Sequence, residues 1–132
     1  MIFLSKSDVI AMHDEVLEEF GGEAGFLNES ALESALNSAP NRAHYEGATL
    51  AVCAATYAFH VTKAHAFVDG NKRLGAATAA TFLESNLARL AASEDELHSV
   101  ILAIADGSMS RDQADAWFLA RVRESPGDAG AP

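Results

Sequence analysis

The chain has 132 residues, 49% hydrophobic and 21% charged, as expected for one globular domain with its own core. Nine Lys and Arg against nineteen Asp and Glu give a net charge of −10, which disfavours sequence-independent binding to nucleic acid. The single cysteine excludes an internal disulfide framework and a cysteine-rich zinc site, and without a membrane-length apolar run or an export signal we expect a soluble, cytoplasmic protein.

The first third of the chain predicts two helices. Apolar residues recur every three or four positions from Ser7 to Phe20, and Ser5 with Asp8 has the spacing of a capping box. Asn28 is placed to cap a second, short helix that carries Ala31, Leu32, Ala35 and Leu36 on its apolar side. The next segment, 37–47, contains Pro40 and is polar, so we predict an exposed loop or a small hairpin there.

The centre of the chain predicts two buried helices joined by an unusual loop. The segment 49–64 is apolar nearly all round, which is typical of the central helix of a bundle. The segment 74–87 is a second such helix, rich in alanine and carrying Phe82 and Leu83.

Two more helices follow, and their starts are clearly marked. Ser93 with Glu96 and Ser110 with Gln113 have capping-box spacing. The sequence therefore predicts an all-α bundle of about six helices over residues 1–124, with a disordered tail at 125–132.

The loop between the two central helices has residue types suited to phosphate chemistry. Gly70 allows a sharp turn, and the helix that starts at Asn71 offers unpaired N–H groups and a dipole to an anion. Lys72 and Arg73 add positive charge to this end of the helix. The loop is not a Walker A motif, because the G-x-x-x-x-G-K-[ST] spacing is absent.

Two further loop residues have chemistry that phosphoryl or nucleotidyl transfer uses. Asp69 supplies a hard oxygen ligand of the kind Mg²⁺ prefers beside phosphates, and His65 is of the residue type that can take a proton near neutral pH and act as a base. Phe67 or Val68 should point into the core and hold the loop. A zinc site is not indicated, because His65 and Asp69 have no obvious further ligands.

The nine residues His65–Arg73 resemble the signature of the Fic/Doc superfamily, H-x-F-x-[DN]-[AG]-N-K-R in its Doc (death-on-curing) branch. The similarity extends over about residues 5 to 123, and includes Gly21-Gly22, the segment 32–35 and Tyr45. Lys72 stands where Fic sequences have a second glycine, and Ala76 where they have a last arginine, and Doc toxins share both departures. Ala66 replaces a common proline, at a position where Doc sequences vary.

The resemblance implies a toxin of a type II toxin–antitoxin system. Such a protein transfers the γ-phosphate of ATP to a threonine of translation elongation factor Tu and is inhibited by a Phd-like antitoxin. His65 would deprotonate the target hydroxyl and Asp69 would hold Mg²⁺, while Gly70, Asn71, Lys72 and Arg73 would hold the phosphates.

The resemblance also implies how the chain is regulated and how it docks its target. The segment 37–47 would occupy the place of the target-docking flap. The [ST]-x-x-x-E-[GN] helix that obstructs some Fic sites is missing, because Arg42 stands at its Ser/Thr position before Glu46-Gly47. Inhibition is therefore expected in trans, and the acidic surface of the chain suits a basic antitoxin segment.

Other interpretations remain open at this point. The same scaffold supports a Fic-type AMP transferase or a binding module without turnover. His65 is also a plausible helix cap, Asp69 a turn residue, and Lys72-Arg73 a solvated pair. His60, Cys53 and Trp117 are predicted to be structural, and His13, His44 and His98 receive no functional assignment.

Overall fold

The computed structural model describes residues 1–125, which fold into six α-helices and two short strands joined by loops. The helices are α1 (Lys6–Phe20), α2 (Glu29–Glu46), α3 (Leu50–Ala64), α4 (Asn71–Ser85), α5 (Glu94–Asp106) and α6 (Arg111–Arg121). The strands are β1 (Ala88–Leu90) and β2 (Val122–Glu124). The predicted all-α bundle of six helices is confirmed. The predicted disordered tail lies outside the described residues except for Ser125, whose N–H donates to the Leu87 carbonyl.

The predicted helix starts are confirmed at the level of individual hydrogen bonds. Ser5, Ser93 and Ser110 each cap a helix through the backbone N–H three residues later, and the side chain of that later residue bonds back to the serine N–H. Asn28 caps α2 by accepting from the Ala31 N–H. These local signals were readable because each cap satisfies donors that the first helical turn leaves unpaired.

Helix α3 is the centre of the bundle and packs against α2, α4, α5 and α6. Its Tyr57 is fully buried against Phe82 of α4, with ring centroids 5.1 Å apart. The contact with α4 is close at Gly75, where an added Cβ would overlap Oγ1 of Thr62. Apolar as α3 is, none of the described helices has both the length and the hydropathy needed to cross a bilayer.

The prediction of a loop or hairpin at 37–47 is wrong, because α2 continues through Pro40 to Glu46. A proline inside a helix removes one hydrogen bond and costs about 3 kcal/mol. Tertiary contacts on both sides offset this cost: Leu36 and Ala39 are buried, and both guanidinium NH2 groups of Arg42 bond to Asp115 of α6 at 2.9 and 3.0 Å. The proposed target-docking flap is therefore not formed by this segment.

The small sheet was not predicted. Strands β1 and β2 pair antiparallel, with Ala88 opposite Glu124 and Leu90 opposite Val122. Each strand has only three residues, too few for an alternating pattern to be recognised. The pairing ties the end of α6 to the segment after α4.

Candidate active site

The motif loop makes a sharp turn between α3 and α4. His65 caps the C-terminal end of α3 in a left-handed backbone conformation (φ 48°, ψ 47°), and α4 begins after Gly70, which has a φ of 83°. The positive φ at Gly70 confirms the turn predicted there. A Cβ at Gly70 would lie 3.2 Å from Val16 Cγ1 and 3.4 Å from His13 Nε2, so the glycine also lets the loop lie close against α1.

A side-chain amide closes the loop from within. Asn71 is buried, its Oδ1 accepts from the Phe67 N–H at 3.1 Å, and its Nδ2 donates to the Phe67 carbonyl at 2.8 Å. Phe67 is itself 3% exposed and stacks between His13 and Phe26, with ring centroids 3.6 and 4.6 Å away. The expectation that Phe67 or Val68 holds the loop in the core is confirmed for Phe67.

Residues 21–28, which connect α1 to α2, run along the motif loop. Phe26 forms an antiparallel bridge with Phe67, and the Val68 N–H donates to the Gly25 carbonyl. The Asp69 carboxylate accepts from the Glu23 N–H at 2.7 Å. Gly22 is required beside it, because its φ is 121° and a Cβ would lie 3.0 Å from the Asp69 Cβ. The non-helical segment that lies beside the motif loop is therefore 21–28, and not the loop predicted at 37–47.

An open cleft of about 770 Å³ lies over the loop. Its lining includes the end of α1, with Val16, Phe20, Gly21 and Gly22, and part of α5, with His98, Leu102 and Ala105. The floor brings together six of the seven predicted site residues: His65, Asp69, Gly70, Asn71, Lys72 and Arg73. The seventh, Phe67, is buried next to the cleft and does not line it.

The floor of the cleft is suited to an anion. Each of the other five helices within residues 1–125 has a side-chain N-cap, whereas α4 starts at Gly70 without one. Its first N–H groups and its dipole therefore face the cleft without a competing side chain. Lys63, Lys72 and Arg73 line the same cleft against one carboxylate, that of Asp69, although the whole chain has a net charge of −10.

Two of these cations are already held in place by neighbouring groups. The guanidinium of Arg73 lies over the Phe20 ring, 3.5 Å from the ring centroid. Stacking occupies one face of the guanidinium and leaves the N–H edge for a phosphate. Lys63 Nζ lies 3.5 Å from the Ile104 carbonyl near the end of α5.

The cleft fits a magnesium ion that is shared with a substrate. The described residues contain no cluster of three or more His, Cys, Asp or Glu side chains. Mg²⁺ bound beside phosphates requires only one or two carboxylates, with water and phosphate oxygens as its other ligands. The exposed carboxylate of Asp69, fixed on one oxygen by the Glu23 N–H, meets that requirement.

Three residues that shape the site were not predicted from the sequence: His13, Phe20 and His98. His13 lies four residues after Val9 and three before Val16, so helical spacing was the signal that could have placed its side chain on the buried face of α1. Nothing in the sequence indicated that its partner would be Asp69, 56 residues away. Phe20 was counted only as an apolar residue of α1, and His98 carried no local signal.

The residues predicted to be structural lie outside the cleft lining. Cys53 is buried, and burial raises the pKa of its thiol to about 11, so it is not a reactive nucleophile. Burial, with a smaller contribution from Arg111, lowers the pKa of the half-buried His60. Trp117 is half-buried on α6, where the Arg121 guanidinium stacks on its ring.

Comparison with known proteins agrees with this geometry. The sequence model of the Fic/DOC family matches residues 3–83, which include the whole motif loop, all of α3 and most of α4. The protein kinase doc of Escherichia phage P1 is 31% identical over 111 residues, which are 83% of this chain and 87% of that protein. The chain therefore belongs to the Fic/DOC family.

Proposed function

We propose that this chain is a Doc-type protein kinase that transfers the γ-phosphate of ATP to a threonine hydroxyl of elongation factor Tu and thereby arrests translation. The observation that carries the proposal is the single cleft in which His65 and Asp69 lie beside the uncapped start of α4, with Lys72 and Arg73. Phosphoryl transfer depends mainly on positioning and charge neutralisation, and this arrangement provides both.

The residues of the cleft have distinct roles in this proposal. His65 is exposed at the floor and accepts the proton of the target hydroxyl. The N–H groups at the start of α4, with Lys72 and the guanidinium edge of Arg73, bind the phosphates of ATP. Asp69 holds Mg²⁺, which when bound neutralises phosphate charge. The Asn71 side chain closes the loop and leaves only its backbone N–H for phosphate.

Two positions favour phosphate transfer over AMP transfer. Lys72, with a long charged side chain, lines the cleft where the AMP-transferring relatives have a second glycine. Ala76 lies one turn further along α4, at the position of their last arginine. Compared with those relatives, this chain lacks the phosphate-binding arginine at position 76 and has an additional lysine at position 72, in the first turn of α4. The name of the phage P1 relative also supports kinase activity.

Inhibition by a separate antitoxin completes the proposal. Glu46, the counterpart of the obstructing glutamate, is exposed at the end of α2 and pairs with Arg42 at 3.5 Å. It is not among the residues that line the cleft. We therefore expect a Phd-like partner, encoded separately, to cover or deform the site.

The test uses the purified chain with magnesium, elongation factor Tu, and ATP labelled at either the α- or the γ-phosphate. Transfer of γ-label that is abolished by His65→Ala and unaffected by His44→Ala, an exposed position outside the cleft, supports the kinase. Transfer of α-label instead assigns AMP transfer. If neither label is transferred although ATP binds, the chain is a binding module.

A further inference from the structure

His13 is a buried polar side chain at the back of the motif loop. It is 2% exposed, and its Nε2 lies 2.8 Å from the backbone carbonyl oxygen of Asp69. A carbonyl only accepts hydrogen bonds, so Nε2 of His13 must carry the proton. The histidine reaches this atom from α1, an element that contributes no motif residue.

The same ring also holds the loop through stacking. The His13 and Phe67 rings are 3.6 Å apart between centroids and inclined by 12°, so they are nearly parallel. The stacked ring fixes the side chain of Phe67, and the Nε2 hydrogen bond fixes the backbone of Asp69, two positions later. Glycine is favoured at the next position, because Gly70 has a φ of 83° and a Cβ there would lie 3.2 Å from Val16 Cγ1 and 3.4 Å from His13 Nε2.

The hydrogen bond determines which way a peptide group of the loop faces. In a trans peptide the carbonyl and the following N–H point in opposite directions. With the Asp69 carbonyl turned onto His13, the Gly70 N–H points away from α1. This peptide lies between the Asp69 carboxylate and the start of α4, the two groups that the proposed function assigns to magnesium and to phosphate.

We propose that His13 is a positioning residue that sets the orientation of the Asp69–Gly70 peptide and so preorganises the anion-binding end of the cleft. The part of this proposal that concerns nucleotide binding rests on the proposed function. The orientation of the peptide is a property of the free protein and is testable without nucleotide. His13 lies behind the loop and is absent from the cleft lining, so it is not assigned a catalytic role.

Three variants separate the hydrogen bond from the packing. His13→Phe keeps a flat ring against Phe67 but has no donor. His13→Gln places an amide N–H about where Nε2 lies, and His13→Asn carries the same amide one methylene short of it. His44→Phe changes an exposed histidine of α2 and is the matched control.

The first measurement is the amide spectrum of protein labelled with ¹⁵N-glycine, without nucleotide. We expect the Gly70 resonance to move in His13→Phe and His13→Asn, to stay near its original position in His13→Gln, and to be unchanged in His44→Phe. An unmoved Gly70 resonance in folded His13→Phe overturns the proposal. If that variant does not fold, equal spectra for the Gln and Asn variants overturn it.

The second measurement is the affinity for ATP with magnesium by calorimetry. A hydrogen bond to a charged group contributes about ten- to a hundredfold in affinity, so loss of the Gly70 N–H from the phosphate site should give a ten- to hundredfold weaker Kd for ATP in His13→Phe, recovered largely in His13→Gln. Equal affinity of wild type and His13→Phe counts against the proposal. If the wild-type chain binds no ATP, the proposed function fails, and the Gly70 resonance alone decides the role of His13.

Discussion

The side-chain amide of Asn71 makes two hydrogen bonds with the backbone of Phe67, one to its N–H and one to its carbonyl. This pairing crosses the turn of the motif loop and is buried. It explains why an amide is needed at this position, because only a side chain with both a donor and an acceptor satisfies both backbone groups. A carboxylate of the same shape could still accept from the Phe67 N–H, but its second oxygen would place an acceptor against the Phe67 carbonyl.

Replacing Asn71 by Ala is therefore expected to destabilise the fold as well as the site. Leaving a buried donor and a buried acceptor unpaired costs about 1–3 kcal/mol each, so the free energy of unfolding should fall by roughly 2 kcal/mol or more. Urea denaturation measures this change. Asn41→Ala, an exposed site on α2, is the control and should alter stability by no more than about 0.5 kcal/mol.

The close contact between α3 and α4 predicts that the effect of a substitution at Gly75 on the free energy of unfolding depends on the side chain at Thr62. Gly75→Ala should lower the free energy of unfolding by about 1–3 kcal/mol, because the new Cβ overlaps Oγ1 of Thr62. The loss should largely disappear when Thr62 is also changed to Ala, since that removes Oγ1. Thr62→Val keeps a methyl group where Oγ1 lies, so combining it with Gly75→Ala should not restore stability. If this double variant is as stable as the one that combines Gly75→Ala with Thr62→Ala, the account is contradicted.

The half-buried position of His60 predicts an acid-dependent loss of stability. Burial lowers its pKa in the folded protein below the usual 6.5, so the unfolded chain takes up this proton first as the pH falls. The contribution of His60 is present above pH 6.5 and is lost as the pH falls through the lower, folded pKa. Denaturation at pH 7 and pH 5 should show a smaller drop for His60→Gln than for wild type. The exposed-site control His44→Gln should retain the full drop, and an equal drop in both variants would exclude His60 as its source.

Leu87 is a leucine in a conformation that favours glycine. Its φ is 58° and its side chain is 66% exposed, so little burial compensates for the backbone cost of about 1–2 kcal/mol. Leu87→Gly should therefore raise the melting temperature. Because glycine also adds entropy to the unfolded chain, the net gain in the free energy of unfolding should be about 0.5–1 kcal/mol. The same change at Leu119, exposed on α6, should instead cost about 1 kcal/mol. A destabilised Leu87→Gly protein would show that the exposed leucine makes contacts that outweigh its strain.

Much of this molecule was predictable from the sequence, because its governing interactions are local. Capping boxes at Ser5, Ser93 and Ser110 join residues three positions apart, and apolar spacing within single helices identified the buried faces. The motif His65–Arg73 is one continuous segment, so the resemblance it carries could be read directly. The six helices and the family followed from these signals.

Contacts between distant residues were decided only by the tertiary structure. The helix through Pro40 persists because Arg42 pairs with Asp115, 73 residues away, and no local pattern shows that compensation. The place of His13 behind Asp69 depends likewise on α1 packing against the start of α4. Local propensity determines where helices begin, whereas long-range packing determines which unfavourable residue is tolerated and which side chain supports the site.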